Sequence, residues 1–191
     1  MGQEGDMRRD DRVLRSGKRF GFEWIVRNNG MGFRCGYIRI PDWHHWYGKV
    51  KFEGVDVHGG ITYAGAGHNE RDDEFWIGFH CGNAYDGVDL SLAFDSEQFR
   101  DLQSMLGIRG RAGWKIKDDD YVQKECEGVC GHMAEAALAE IIKGEGSEAE
   151  AFAAAIRNNW EDDAPRLVFA DWLEERGDER HAHIRAMCRT S

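Results

Sequence analysis

Six side chains with useful chemistry stand on short, turn-rich stretches of the sequence: His44, Asp56, His58, His80, Cys81 and Asp86. Imidazole and thiolate are donors that zinc takes in a tetrahedral site, so His44, His58, His80 and Cys81 form the candidate metal set. His58 directly precedes Gly59-Gly60, where the backbone can turn sharply and expose the ring. His80 and Cys81 are neighbours on an expected strand. Successive strand side chains point to opposite faces, which works against one ion binding both. No C-x-x-C pair and no H-E-x-x-H is present, and the competing reading is loop histidines with satisfied rings beside a core cysteine. A second chemistry is nucleophilic: Cys81 activated by His58 or His44, with Asp56 or Asp86 orienting the imidazole. No helix start or glycine-rich oxyanion loop flanks Cys81, and a cysteine that ends an apolar strand usually packs.

Other groups invite similar questions. Cys126 and Cys130 lie four apart on one helical face, with His132 close by, but both fall on an apolar stripe and read as packing. Gly59-Gly60 and Gly65-Ala66-Gly67 could cradle a phosphate; neither opens a helix, so they read as turns or bulges. Trp43, Trp46 and Tyr47 flank His44-His45 in one loop. They form either a contact surface for a partner or a cover over the open edge of a sheet.

The elements that must position these residues can be read from periodicity. Phe20–Val26 and Phe33–Ile40 read as strands joined through Asn28-Asn29-Gly30, a hairpin signal. Val50–Val57 alternates apolar and polar as a third strand, interrupted at His58-Gly59-Gly60 and resumed over Ile61–Ala64. Phe75–Cys81 is a further strand. Asp95 or Ser96 caps a helix reaching about Leu106. Asp118 to Asp120 open a longer one over Tyr121 to about Lys143, with its stripe on Val122, Cys126, Val129, Cys130, Met133, Ala137 and Ile141. Gly144–Ser147 reads as a linker. Beyond it come helices over Glu148–Asn158, from Asp162 or Asp163 to Gly177 with Pro165 in the first turn, and from Asp178 to about Cys188. The second of these lines Val168, Phe169, Trp172 and Leu173 along its packed face.

Strands first and helices afterwards define an α+β fold: an N-terminal antiparallel sheet with two helices, then a small all-helical module. The expected division is a mixed-charge tail over 1–19, an α+β domain over 20–143, a linker over 144–149 and the helical module over 150–188. The 191 residues are 41% apolar and include seven Trp and ten Phe, enough for a real core. The net charge of −10 repels a phosphate backbone. Met1 to Arg19 is the exception, with six Lys/Arg against four Asp/Glu. No apolar run is long enough for a membrane span and no secretory h-region opens the chain. The five cysteines are therefore expected as reduced thiols in a soluble, cytoplasmic protein.

The segment EAFAAAIRNNWEDDAPRLVFADWLEERGDERHAHIRAM, Glu150 to Met187, resembles the bacterial repeat-companion domain. The hallmark of that module, D-D-x-P-R-L-V-[YF]-A-D-W-L-E-E-x-G-D, stands here at Asp162, Asp163, Pro165, Arg166, Leu167, Val168, Phe169, Ala170, Asp171, Trp172, Leu173, Glu174, Glu175, Gly177 and Asp178. The resemblance implies a helical module without assigned chemistry, found beside many unrelated neighbours, and so an adaptor or interaction role. The fragments Arg34–Gly48, Val55–Gly65, Phe75–Cys81 and Asp120–Cys126 are similar to a family of small phage and bacterial proteins of unassigned function. Its W-[FW]-G-F-D-C-A-H-x-G-D stretch is matched here at Cys81 and Asp86, with His80 in place of Asp and Asn83 in place of His.

The leading expectation is a non-catalytic interaction or adaptor protein with a protein partner, using Trp43, Trp46, Tyr47 and Trp172, and needing no cofactor. The alternative is a small hydrolase using His58, Cys81 and Asp86, with or without zinc. The third is a nucleic-acid-associated protein acting through the basic tail, which the acidic bulk disfavours. No membrane contact is expected, and nothing in the sequence fixes an oligomeric state.

Overall fold

The structure, a computed structural model, describes residues 13–66, 73–83, 85–89, 91–92 and 114–188. Five strands form one antiparallel sheet: β1 (Val13–Arg19), β2 (Phe22–Asn28), β3 (Arg34–Ile40), β4 (Tyr63–Ala66) and β5 (Phe75–His80). Their order is β1-β2-β3-β5-β4, so β5 slots between β3 and β4. Four described helices follow: α1 (Asp119–Ile142), α2 (Ser147–Asn158), α3 (Ala164–Glu174) and α4 (His181–Ala186). The α+β architecture is the one expected. The helix expected from residue 95 to 106 lies outside the described residues.

Local chemistry accounts for the turns. Asn28 Oδ1 accepts the Gly30 N–H at 3.1 Å, and Asn29 Oδ1 accepts those of Met31 at 3.0 Å and Phe33 at 3.2 Å. These side chains hold the β2–β3 turn by mimicking backbone acceptors. The β1–β2 turn has Phe20 at φ 49° and Gly21 at φ 77°, the paired positive values of a tight hairpin. Asp118 accepts the Tyr121 N–H at 2.9 Å and so caps α1.

Helix α1 lies across β1, β2 and β3. Its stripe from Val122 to Ile142 is buried, with Cys126, Val129, Cys130 and Met133 fully enclosed. It meets Phe22, Val26, Ile38, Ile77 and Phe79 in one apolar cluster. Gly36 permits the close approach, because a Cβ there would lie 2.4 Å from the Phe79 ring and 2.6 Å from Cys126 Sγ. The same cluster continues through Ala149, Ala153, Ile156, Phe169, Leu173, Ile184 and Met187, so one core joins the sheet to the C-terminal helices.

Four boundaries differ from expectation. Residues 13–19 are strand β1, not tail. Edge strands tolerate alternating charge, and here Arg15 reaches Asp120 at 2.6 Å while Arg19 reaches Glu161 at 2.6 Å. Residues 50–57 are irregular, with a turn at Glu53-Gly54, instead of a strand; Gly54 at φ 75° breaks the pleat and Val57 is turned into the core. The linker is shorter than 144–149, since α2 begins at Ser147. The last helix is confined to His181–Ala186.

Candidate functional site

Three segments bring polar groups together at the start of α1. Val57 is 7% exposed and plugs into the core, and the Gly60 N–H bonds back to the Val57 carbonyl at 2.9 Å. That turn presents the His58 ring. The second segment carries Asp86, buried and tied to its own loop by the Asn83 N–H at 2.9 Å. Arg34, itself buried, holds this region by bonding Asp89 at 3.0 Å and Asp119 at the start of α1. The third is α1, which supplies Tyr121 and Glu125.

His58 Nε2 lies 2.8 Å from Asp86 Oδ2, and His58 Nδ1 lies 3.2 Å from Tyr121 Oη. The backbone N–H of His58 donates to Glu125 Oε2 at 2.7 Å. A carboxylate accepts, so Nε2 is the nitrogen that donates to Asp86, and in the neutral imidazole Nδ1 is then the lone pair facing the phenol hydrogen. The two rings meet edge to face with centroids 5.7 Å apart. Burial holds the Tyr121 phenol above its ordinary pKa, with Glu125, Cys81, Asp86 and Asp56 adding to the effect. The Lys117 ammonium sits 4.4 Å from the centre of that ring.

The structure separates the other sequence candidates. Cys81 is 1% exposed, and burial, followed by Asp86 and Cys35, pushes its thiol up to about 12. It is a protonated thiol at neutral pH and a poor nucleophile, whereas His58 engages Asp86 and Tyr121. Asp56 is exposed. His44 is buried, with Nε2 donating to the Met133 carbonyl at 3.0 Å and Nδ1 accepting the Trp46 N–H at 3.1 Å. Both nitrogens are occupied, so His44 is a structural residue and not a ligand. His80 accepts the Gly82 N–H at 3.3 Å and lines a cleft of about 330 Å³ with Tyr37 and Tyr63. The set His44, His58, His80 and Cys81 therefore does not converge. Among the described residues no group of three His, Cys, Asp or Glu side chains is placed to hold a metal. Cys126 and Cys130 are fully buried on the α1 stripe, as packing predicts.

Burial lowers the pKa of His44 to about 4, from an ordinary 6.5. Unfolded chains bind the proton as pH falls through 6.5, while the folded protein resists. The associated stability is complete above pH 6.5 and is lost as pH drops towards 4, amounting to about 3 kcal/mol at the limit. His45 and His183 are lowered by burial too and act in the same direction. Urea midpoints at pH 7.5 and 4.5 should diverge less in His44→Gln than in the natural sequence; equal divergence would remove His44 from the account.

The aromatic loop is mostly spent inside the molecule. Trp43 stacks on His183 of α4 at 4.6 Å with the planes 10° apart. Trp46 packs on Phe52 at 5.4 Å. Tyr47, also placed against Phe75, is 42% exposed. Trp43 fastens α4 through His183 and Trp46 is packed on Phe52 and His44, leaving Tyr47 as the surface residue of the three.

Helix α3 is turned differently from the expectation. Its inner face is Arg166, Phe169, Ala170 and Leu173. Val168 points outward and is 54% exposed, and Trp172 is half-buried with the Arg176 guanidinium 3.7 Å above its ring. Asp171 faces out and bonds Arg185 at 2.6 Å. The sequence reading overlooked Arg166, which is completely buried, donates to the Trp160 carbonyl at 2.7 Å and pairs with Asp163. Its signal was the i,i+3 spacing of opposite charges at a helix start. It also overlooked Tyr121, for which 63 residues of separation from His58 left no local signal.

No protein-family model, no curated protein and no solved structure matches the chain. No helix among the described residues is long and apolar enough to cross a membrane.

Proposed function

We propose that this chain is an interaction protein whose α2–α3 face docks a basic segment of a protein partner carrying an apolar anchor. The observation that carries the reading is Val168, a large aliphatic side chain left 54% exposed on a helix that buries Phe169 and Leu173 beside it. Half-buried Trp172 and Phe152 lie alongside in the same aromatic cluster. The surroundings are acidic. Between Ser147 and Cys188 stand ten Asp/Glu and five Lys/Arg, a net −5 where the whole chain carries −10, and Asp171 and Glu174 share the single cation Arg185. Such a field favours a cationic partner and repels nucleic acid, with the anchor supplying specificity at its centre.

Two further observations support the reading over its rivals. Arg15 and Arg19, two of the six basic residues in the 1–19 segment behind the nucleic-acid expectation, direct their charge at Asp120, Glu127 and Glu161. The thiol that carried the hydrolase expectation is enclosed and protonated.

A fluorescent amphipathic peptide of Lys and Leu should bind the full-length protein, and an equally long peptide of Glu and Leu should not. Binding should weaken with added salt, since the exposed charges are screened within about 10 Å at 0.1 M. Val168→Lys removes the anchor and opposes the cation, and is expected to lower affinity by roughly tenfold or more. The substitution is exposed, so the fold should be unaffected. Equal binding of both peptides, or full affinity in Val168→Lys, would overturn the proposal.

A further inference from the structure

We propose that Tyr121, His58 and Asp86 form a nucleophile–base–carboxylate chain in which the Tyr121 hydroxyl takes an acyl group from an activated ester. The argument is geometric and shares no residue with the α2–α3 face. A nucleophile is activated when its proton points at a base and a third group orients that base. Here the Tyr121 hydroxyl lies 3.2 Å from His58 Nδ1, and His58 Nε2 lies 2.8 Å from Asp86 Oδ2. Every member is fixed independently. Asp86 is held by the Asn83 N–H, the His58 backbone by Glu125, and Tyr121 by the capped start of α1. The chain also runs from inside to outside: the Asp86 side chain is 4% exposed, that of His58 is 18% exposed, and Tyr121 is partly exposed at the surface end. A carboxylate enclosed in this way stabilises the imidazolium that forms when His58 accepts a proton.

The step balances without a cofactor. A lone pair on Tyr121 Oη attacks the ester carbonyl carbon while the phenol proton passes to His58 Nδ1. The bond from the carbonyl carbon to the leaving oxygen breaks, and the leaving group departs with the electron pair. The imidazolium, its Nε2–H still on Asp86, returns its proton to the leaving group or to water. Tyr121 is left as an acyl ester. Because the phenol is held in its protonated form by burial, this route depends on the base and not on spontaneous ionisation.

The test uses the whole protein and p-nitrophenyl acetate, with tandem mass spectrometry placing each acetyl group over time. Tyr85, 84% exposed, and Tyr47, 42% exposed, are internal references with better access to the reagent. A general base typically contributes ~10²–10⁴-fold, so Tyr121 should be acetylated at least about tenfold faster than Tyr85. His58→Gln should remove that advantage and Asp86→Asn should reduce it, with circular dichroism verifying the fold of each. Should Tyr85 react first in the natural sequence, the proposal fails without any variant being needed. It fails equally if folded His58→Gln keeps the fast reaction at Tyr121.

Discussion

Arg166→Ala is expected to cost about 3–5 kcal/mol of stability, a large share of what a domain of this size has. Arg166 is an arginine with none of its surface exposed. Its guanidinium answers the Trp160 carbonyl at 2.7 Å and the Asp163 carboxylate, and lies 5.5 Å from the Trp160 ring centre and 5.6 Å from that of Phe20. Truncation leaves a mostly buried carboxylate without its cation, a carbonyl without its donor and a void beside two aromatic rings. These losses fall together because the bond, the ion pair and the ring contacts share one planar group. Arg166→Lys should recover only part of the loss, since an ammonium is a single point and cannot form the same fork. Arg185→Ala is the control. Arg185 also bonds two carboxylates, Asp171 and Glu174, but at the surface, and its removal should barely move a urea midpoint. One apolar cluster spans sheet and helices, so tryptophan fluorescence should report a single transition for all three variants. A midpoint for Arg166→Ala close to that of Arg185→Ala would show that the buried pair contributes little.

Arg166 also explains where the sequence was readable and where it was not. The helix carrying it is legible from Asp162-Asp163, Pro165 and Gly177, all of them local signals. Periodicity alone puts Val168 and Trp172 on its inward face together with Phe169 and Leu173. A pattern of apolar and polar residues assigns every arginine to the outside. Here Arg166 takes the inner face with Phe169, Ala170 and Leu173 at i, i+3, i+4 and i+7, and Val168 lies off that face, 54% exposed. The β2–β3 hairpin and the long α1 helix were legible for the opposite reason, because turn chemistry at Asn28 and Asn29 and the stripe from Val122 to Ile141 lie wholly within their own segments. Strand β1 was not legible. Its arginines look like tail until their partners are known, and Asp120 stands 105 residues away from Arg15. At the candidate site, His58 and Asp86 could be picked out as residue types, but the chain between them is completed by Tyr121 from a helix. Cys81, a residue type of the same promise, belongs to the core. Local sequence thus indicated which groups carry chemistry, while their pairing depended on contacts across the fold.

Gly21→Ala should be among the most disruptive of the small substitutions, and its cost can be separated into two parts. Gly21 holds φ 77°, and a Cβ there would lie 1.8 Å from the Ala186 carbonyl oxygen, 2.8 Å from its carbon and 3.0 Å from Met187 Cα. All three are backbone atoms of the C-terminal helical part, so no side chain can swing aside. The β1–β2 turn and the end of α4 must move apart, loosening the nearby stack of Trp43 on His183. Backbone strain alone costs roughly 1–2 kcal/mol for a residue forced into the left-handed region, and overpacking typically adds about 1–3 kcal/mol. Gly54 isolates the first part. It has nearly the same φ, 75°, but open space where its Cβ would go. Gly54→Ala should therefore show the strain without the clash, and the difference between the two urea midpoints measures how rigidly α4 is seated on the hairpin. If Gly21→Ala lost no more than Gly54→Ala, α4 would be free to shift at little cost, and the single core joining the sheet to the C-terminal helices would not extend to that contact.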